Sequence, residues 1–349
     1  MSLPPLRLAD VSITALPRVA PIRNAPEWAG ERGEELVRST RQQAEAGFDD
    51  PRLRRSDPLE ALTDWFGPGD RRTKAALEPS MDMYNERRVR VFRPSWGVRR
   101  LRIDSELAVS SAVTLSYTLN GLHVETCAGD QFDHALLPRV LPMRDFARRL
   151  GQENKPVAPW LHTTGHLVGA ESQHERTLMM LADYHPAVEL IAGQPFTLVW
   201  PEGSDLQSHT PDVVLLRNGS LPLVVDVRTP AGAMDAKWAK KVPAIGRAVQ
   251  SLGMGYLVWT GMSRPYRRNL ENFTEARVPK ASYERWADVA LDLCVRPMSA
   301  SELADRLDSA GYPRLWALTL IRRMLWRRAL TTDMFAPYSS SSIVERGNA

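Results

Sequence analysis

The sequence predicts an α/β fold, and three observations predict it. Apolar segments of strand length alternate with segments of helical period. Asn218-Gly219 joins two of the apolar segments, which is a strong hairpin signal. The stretch that follows is a basic helix leading into a last apolar strand. The predicted elements run in the order helix, strand, strand, strand, helix, strand, at residues 171–181, 188–200, 211–217, 221–228, 235–253 and 255–261.

The first hundred residues predict less regular structure. Residues 1–100 form an Arg- and Pro-rich N-terminal extension with two predicted helices, Glu31 to Gly47 and Asp57 to Gly67, because the early prolines break any helix before them. This extension fits an arm that wraps a partner or the core, and it fits a partly disordered segment equally well. Alternating apolar residues around Asn120-Gly121 then predict a β-hairpin, which we assign to a small lobe and connector at residues 101–160.

The strands on either side of the hairpin turn carry the candidate chemistry. Asp226 and Arg228 project from the same face, because side chains on one face of a strand repeat every second residue. If the loop is Asn218-Gly219-Ser220, Asp212 lies opposite Asp226, about 5 Å away at Cβ. A two-residue turn would shift this register by one, and the sequence does not choose between them.

Two opposed carboxylates favour a cation between them. Asp226 lies within an apolar strand, where a lone charge is expensive to bury. The alternative is that Asp212 and Asp226 are solvated residues at the strand ends. With an acid from the preceding helix, Glu171 or Glu175, three carboxylates and the Arg228 cation are the minimum needed to hold Mg²⁺ against a phosphodiester.

The C-terminal segment, residues 280–337, predicts a winged-helix domain. A first helix is followed by a second that opens on the capping box Ser299-Ala-Ser301-Glu302. A basic helix follows Gly311-Tyr312-Pro313, which is the order of a helix-turn-helix. Four of its residues are predicted to bind DNA: Arg322, Arg323, Arg327 and Arg328. The sequence does not distinguish this role from docking to a protein.

Charge and composition give weaker indications. The net charge of +4 gives mild support for a polyanionic partner. Arginines interleaved with aromatic residues suit phosphate contact and stacking, so Arg99 and Arg100 are also predicted to bind DNA. The only two cysteines, Cys127 and Cys294, form no ligand pattern and indicate a reducing compartment. We expect a cytoplasmic protein without membrane contact, because the chain has no long apolar run and no signal-peptide pattern.

The pattern Pro211-Asp212, then Asp226-x-Arg228, with an upstream helical acid, resembles the PD-(D/E)xK nucleases. More narrowly, the chain resembles the TnsA-like endonuclease subunits of heteromeric transposases. The extended run ESQHER, then QPF, then HTPD carries this closer resemblance, which covers about residues 135–262. The fold class that it implies is an α/β, restriction-endonuclease-like core, with an N-terminal β-hairpin lobe and a C-terminal winged helix.

The resemblance also implies an activity. Such an enzyme cuts one strand of double-stranded DNA at each transposon end, beside a partner transposase and a regulatory ATPase. Glu175, Asp212 and Asp226 would bind Mg²⁺, with Mn²⁺ as a substitute. Arg228 stands where the family pattern has lysine, and it can stabilise charge but cannot act as a base.

Three further residues are implied as support for this site. Glu171 could substitute for Glu175, one helical turn away on the same face. Gln194 matches a family position, although it could only satisfy backbone groups at a strand start. Lys237 could supply the ammonium that Arg228 lacks, although a solvated helix face is its commoner explanation.

We therefore divide the chain into an N-terminal extension (1–100), a β-containing lobe (101–160), a nuclease domain (161–265), a winged-helix-like domain (280–337) and a flexible tail (338–349). Three alternatives stay open: a stand-alone defence or restriction nuclease, a non-catalytic scaffold that binds DNA or protein, and a transcription regulator built on the winged helix. Metal binding would separate the scaffold from the two nucleases.

Overall fold

The structure is a computed structural model that describes residues 57–69, 113–119, 122–127, 133–144, 156–217 and 219–347. The predicted helix at Glu31 to Gly47 and the predicted DNA-binding residues Arg99 and Arg100 lie outside these residues. Within them, helices and several sheets give a mixed α/β architecture, so the coarse fold class is confirmed.

The helices are labelled in chain order. They are α1 Glu60–Phe66, α2 Gln173–Tyr184, α3 Pro230–Ala233, α4 Ala236–Ser251, α5 Arg264–Thr274, α6 Lys280–Leu293, α7 Ala300–Ser309 and α8 Arg314–Trp326. A 3₁₀ helix also spans His134–Arg139. None of the described helices is long and apolar enough to cross a membrane.

Within the described residues, the strands form four sheets. They are β1 Thr114–Leu119, β2 Leu122–Cys127, β3 Val140–Leu141, β4 Trp160–Leu161, β5 His166–Leu167, β6 Leu190–Gly193, β7 Phe196–Val199, β8 Ser208–His209, β9 Val213–Leu216, β10 Leu223–Val227, β11 Gly255–Trp259, β12 Met298–Ser299, β13 Leu330–Thr332 and β14 Ile343–Arg346. The central sheet has the order β11-β10-β9-β6.

The central sheet fixes the register around the hairpin turn. Val225 pairs with Val213 in the antiparallel β9–β10 ladder, which puts Asp226 next to Asp212 at the following position. The register is that of the three-residue loop, and the Ser220 N–H donates to the Arg217 carbonyl across it. Strand β11 runs parallel to β10, as expected when a helical crossover, here α4, joins two strands.

The single strand predicted over residues 188–200 is wrong, because the chain forms two strands that join different sheets. Strand β6 pairs with β9 in the central sheet, whereas β7 pairs with β1 and β8 in a second sheet. The break falls at Gln194-Pro195, where Gln194 adopts a φ of 47°. Proline has no N–H for a ladder, and a positive φ turns the chain out of the strand.

The predicted hairpin is present as β1 and β2, with its Asn120-Gly121 turn outside the described residues. It does not stand apart as a separate lobe, because β1 pairs with β7 of the predicted nuclease segment. The second sheet therefore covers residues from both predicted units.

Two apolar clusters lie on opposite faces of the central sheet. On one face, Val225 belongs to a core with Leu178 of α2, Phe273 of α5 and Ile321 of α8. On the other face, the core contains Val224 and residues of α4 and the hairpin sheet. The alternation of Val224 and Val225 between the two cores is the period of two of a strand buried on both faces.

Helix α1 belongs to the first core. Leu62 and Phe66 are buried there, and the Trp65 indole N–H donates to the Leu221 carbonyl at 2.9 Å. Gly255 permits this contact, because a Cβ there would approach the Trp65 ring to 2.2 Å. The short helix predicted at Asp57 to Gly67 is confirmed, and this stretch of the extension packs against the core.

The three predicted C-terminal helices are present as α6, α7 and α8. The Ser299 hydroxyl caps α7 by accepting the Glu302 N–H at 3.0 Å. The flexible tail predicted from residue 338 is wrong over β14, which pairs with β12 and β13 and buries Val344 completely.

Candidate functional site

Three polar residues lie side by side where strands of the central sheet end. The β9–β10 register puts Asp226 beside Asp212. The β6–β9 register pairs Gly193 with Val213, which puts Gln194 on the other side of Asp212. All three are buried. The sheet thus collects two carboxylates and an amide away from water, at the position that the hairpin argument predicts.

The Asp226 carboxylate is held by two side chains. Its 0% exposure removes it from solvent, and His209 Nε2 lies 2.9 and 3.0 Å from its two oxygens. The Tyr256 hydroxyl donates a short hydrogen bond to Oδ2. Burial, followed by the Asp226 charge, raises the pKa of Tyr256, so this phenol keeps its proton and remains a donor.

Asp212 faces two other acids. Its Oδ2 accepts the Val227 N–H at 2.7 Å, which ties the carboxylate to β10. Burial raises the pKa of Asp212 well above its usual value, and the charges of Asp226 and then Glu175 raise it further. The three predicted metal ligands therefore interact electrostatically, and they repel one another as charged groups.

Glu175 is positioned by the start of α2. The Ser172 hydroxyl caps the helix by accepting the Glu175 N–H at 3.1 Å, and it donates back to Oε1 at 2.8 Å. The Glu171 N–H donates to Oε2 at 2.8 Å. Burial raises the pKa of Glu175 to about 7, which exceeds the lowering by these two hydrogen bonds.

The predicted placement of Glu171 one helical turn before Glu175, on the same helix face, is wrong. Helix α2 begins at Gln173 with Ser172 as its N-cap, so Glu171 precedes the helix. The Glu171 side chain instead pairs with Arg144 at 3.0 Å, and both are partly exposed.

The buried amide of Gln194 lacks hydrogen bonds. Its backbone is satisfied, since its N–H donates to the Asp212 carbonyl and its carbonyl accepts the Met143 N–H. Neither the oxygen nor the nitrogen of the side-chain amide has a protein partner within the described part of the chain. Leaving a buried amide without hydrogen bonds costs about 1–3 kcal/mol of stability. The lack of partners is unusual here, because the neighbouring acids could accept a hydrogen bond from the amide or share a ligand with it.

Arg228 lies over an aromatic ring. Its guanidinium carbon is 3.9 Å from the Trp238 ring centroid, and its buried Nε has no protein partner among the described residues. The ring of Trp238 also lies 5.8 Å from that of His209. His174 Nε2 contacts the Arg228 carbonyl at 3.0 Å and the Thr260 carbonyl at 3.2 Å. Burial lowers the pKa of His174 to about 4, so a neutral imidazole donates here.

Lys237 does not share this environment. It is an exposed residue of the first turn of α4, where the Asp235 carboxylate accepts its backbone N–H at 2.9 Å. The next residue, Trp238, is the one that contacts Arg228.

The four arginines predicted to bind DNA lie on α8 and directly after it, and they contact other parts of the protein. Arg322 donates to Asn272 Oδ1 at 2.9 Å, and Arg323 lies 3.3 Å from His162 Nε2. The remaining contacts are aromatic: Arg327 lies 4.2 Å from the Tyr283 ring centroid and Arg328 lies 5.6 Å from that of Tyr184. All four are half-buried. Each of them thus contacts the body of the protein, whereas Leu315 and Trp316 of α8 are exposed.

Within the part of the chain that the structure describes, no three His, Cys, Asp or Glu side chains stand in an arrangement that could hold a metal ion. The chemistry of the donors nevertheless fits a hard cation. Asp212, Asp226, Glu175 and the Gln194 amide all offer oxygen, and the charges of Asp226 and Glu175 raise the pKa of Asp212 more than the Arg228 charge lowers it.

The sequence did not single out Tyr256, Trp238 or His174. Tyr256 lies in an apolar strand, where an aromatic residue is typical of the core. Trp238 lies in a basic helix, whose residues are typical of the surface. One signal was available for Tyr256: on β11 it pairs with Val224, whose face also carries Asp226.

No protein-family model matches the chain, and no curated protein matches it. A functional assignment therefore depends on the chemistry of the site and on the order of the sequence motifs.

Proposed function

We propose that this protein is a Mg²⁺-dependent DNA endonuclease with a PD-(D/E)xK-type centre. The observation that carries the proposal is that three buried acids, Asp212, Asp226 and Glu175, lie within electrostatic reach of one another. Burial raises the pKa of Asp212 well above its usual value, and the charges of Asp226 and then Glu175 raise it further. Burying like charges without a counter-ion is unfavourable, and a divalent cation relieves that cost. The unpaired Gln194 amide beside them supports the same conclusion.

Asp212, Asp226 and Glu175 would hold the ion, and Gln194 Oε1 would be a further oxygen donor. Bound Mg²⁺ lowers the pKa of a water molecule and offsets charge at a phosphoryl oxygen. Binding requires side-chain movement, because His209 and Tyr256 hold the Asp226 carboxylate and Ser172 holds that of Glu175.

Arg228 would contact the scissile phosphate. Its cation is fixed over Trp238, and its buried Nε still has a proton to donate. A guanidinium matches two phosphate oxygens in one plane, but it does not give up a proton. Arg228 would therefore stabilise developing charge rather than activate the water.

We further propose that the chain acts as a TnsA-like subunit, cutting one strand at transposon ends beside a partner transposase and a regulatory ATPase. The order of acid, Gln-Pro-Phe, Pro-Asp and Asp-x-Arg supports this assignment. Helices α6, α7 and α8 with the β13–β14 pair support a winged helix at the C-terminus.

Calorimetric titration with Mn²⁺ in the presence of a short duplex tests the metal centre. We expect saturable binding by the native chain and none by Asp212→Asn, because asparagine keeps the hydrogen bond from Val227 but removes the charge. Equal heats from both would contradict this metal site.

The second candidate is a nuclease-like scaffold that binds DNA without cutting it. Arg228 favours it, since arginine replaces the lysine of the family pattern. The scaffold predicts no saturable Mn²⁺ binding by the native chain. A chain that binds Mn²⁺ and nicks a supercoiled plasmid, with both activities lost in Asp212→Asn, would exclude it.

A further inference from the structure

Three arginines converge at the junction between the C-terminal helices and the nuclease core. Arg277 follows α5, whereas Arg323 and Arg327 lie on α8 and directly after it. Arg277 Nη1 is 2.8 Å and Arg323 Nη1 is 3.3 Å from the same atom, His162 Nε2. Two guanidinium groups thus meet at one imidazole nitrogen.

His162 acts here as a neutral acceptor. An arginine N–H can only donate, so Nε2 offers its lone pair and the ring proton lies on Nδ1. The hydrogen bond between this ring and the Thr274 backbone fits that tautomer. Burial lowers the pKa of His162 to about 4, with Arg323 and Arg277 lowering it further, so the imidazole adds no positive charge.

The buried carboxylate of Asp183 offsets only part of the positive charge of this cluster, because its charge raises the pKa of Arg323 by less than the charges of Arg327 and Arg277 lower it. Asp183 is 2% exposed, and its oxygens accept the N–H groups of His162 and Thr163 and the Thr163 hydroxyl, at 2.6 to 2.9 Å. Burial lowers the pKa of Arg323 to about 10, and the next causes are the charges of Arg327 and Arg277. Three cations therefore repel one another around a neutral ring.

The cluster opens to solvent on one side. Arg277 is exposed, and Arg323 and Arg327 are half-buried. Tyr283 holds Arg327 from below, with the guanidinium carbon 4.2 Å from its ring centroid. The arginines are thus ordered by contacts that leave their charge available, which suits an anion with several acceptor oxygens.

We propose that Arg277, Arg323 and Arg327 form a phosphate-binding site for the backbone of duplex DNA. The choice of DNA rests on the proposed nuclease function. Helix α2 supports it, because Glu175 lies near its start and Asp183, bound to His162, lies near its end. Eight residues of helix span roughly 12 Å. That is about 3–4 base pairs along a duplex, so one DNA could contact both ends of α2.

The test is duplex binding by Arg277→Gln, measured by fluorescence anisotropy on the full chain with a chelator present, so that no cleavage occurs. Arg277 is chosen because it is exposed and its substitution leaves the fold intact, which an unchanged melting temperature would verify. Arg268→Gln is the matched control, since it removes the same charge from an exposed position on α5.

We expect Arg277→Gln to weaken binding by about 3- to 10-fold relative to the control, and to reduce the slope of log affinity against log salt by about 1. Affinity and slope equal to those of Arg268→Gln would overturn the site. So would stabilisation by inorganic phosphate that Arg277→Gln abolishes without any change in duplex affinity, because the site would then hold a free anion.

The two proposals fail separately. Loss of duplex affinity in Arg277→Gln with no Mn²⁺ binding by the native chain would support the phosphate site and overturn the nuclease. Mn²⁺ binding and nicking by the native chain, together with an unchanged duplex affinity in Arg277→Gln, would support the nuclease and overturn the phosphate site.

Discussion

At the scale of single residues, the candidate site differs from other buried polar positions in what surrounds its acids. Asp183 is as buried as Asp212, but backbone and hydroxyl donors satisfy it. Asp212 accepts one backbone N–H and faces two further carboxylates. An acid of the first kind stabilises a turn, whereas an acid of the second kind costs stability until a cation binds.

The pH dependence of stability should report this cost at Glu175. Its pKa is raised from 4.5 to about 7, so across that interval the folded protein binds more protons at this residue than the unfolded chain does. The contribution of Glu175 to the free energy of unfolding is therefore greatest below pH 4.5, and it is lost as the pH rises through about 7. Glutamine stays neutral throughout and escapes this loss.

We expect the free energy of unfolding of Glu175→Gln to rise relative to that of the native protein by on the order of 2 kcal/mol between about pH 5 and about pH 8. The size follows because one pKa unit is about 1.4 kcal/mol. Urea unfolding with a chelator present measures it. Glu202→Gln, at an exposed position, should show no such trend. A flat difference for Glu175→Gln would mean that its carboxyl is not desolvated.

Gln194 allows a second prediction. Replacing its unpaired amide with the unbranched apolar side chain in Gln194→Met should stabilise the metal-free protein by about 1 kcal/mol, because the cost of burying unsatisfied polar atoms disappears. The same change should weaken Mn²⁺ binding. Thermal unfolding and calorimetry measure the two effects. A destabilised variant that binds Mn²⁺ normally would show that the amide has a structural role.

The carboxylate pair could be predicted from the sequence because a strand register needs only a turn and a count. The pairing of Val213 with Val225 selects the register that the sequence left open. The contacts of Tyr256 and Trp238 could not be predicted, since they depend on how β11 and α4 pack beside the sheet. The same limit applies to the arginines of α8. The face of the helix that carries them could be predicted, but the elements that this face packs against could not.

At the scale of elements, the start of α2 shows how a local sequence signal positions a candidate ligand. The capping box Ser172–Glu175 was within reach of sequence analysis, and it fixes both the helix start and the Glu175 carboxylate. The break between β6 and β7 had an equally local signal, Pro195. A continuous apolar composition on both sides concealed it, because both strands are buried.

Two matched substitutions separate the stability role of a cap from its role at the site. Ser172→Ala and Ser299→Ala each remove a hydroxyl that accepts a backbone N–H at a helix start, at 3.1 and 3.0 Å. Each should cost about 1 kcal/mol in the free energy of unfolding. Only Ser172→Ala should also change the affinity for Mn²⁺, since only it releases Glu175. Equal Mn²⁺ affinities in the two variants would remove Glu175 from the ligand set.

At the scale of the whole molecule, the predicted domains share one core. The cluster on one face of the central sheet includes Leu62 of α1, Val225 of β10 and Ile321 of α8, from three predicted units. The boundaries drawn from composition therefore do not coincide with boundaries of packing. An independent winged helix, as the transcription-regulator alternative requires, would leave apolar faces of α6 and α8 exposed.

This shared core predicts that the described segments unfold together. Leu62→Ala in α1 removes a side chain with 1% exposure and should lower the free energy of unfolding by about 2–5 kcal/mol. Leu315→Ala in α8 is the control, because Leu315 is 76% exposed, and a change within about 0.5 kcal/mol is expected.

The decisive readout is hydrogen exchange in residues 280–347, far from Leu62 in sequence. If those amides lose protection in Leu62→Ala by the same free energy as the central sheet does, the N-terminal helix and the C-terminal helices belong to one cooperative unit. If their protection is unchanged while the sheet is destabilised, the C-terminal helices fold on their own, and the junction at which Arg277 and Arg323 meet is a contact between separate domains.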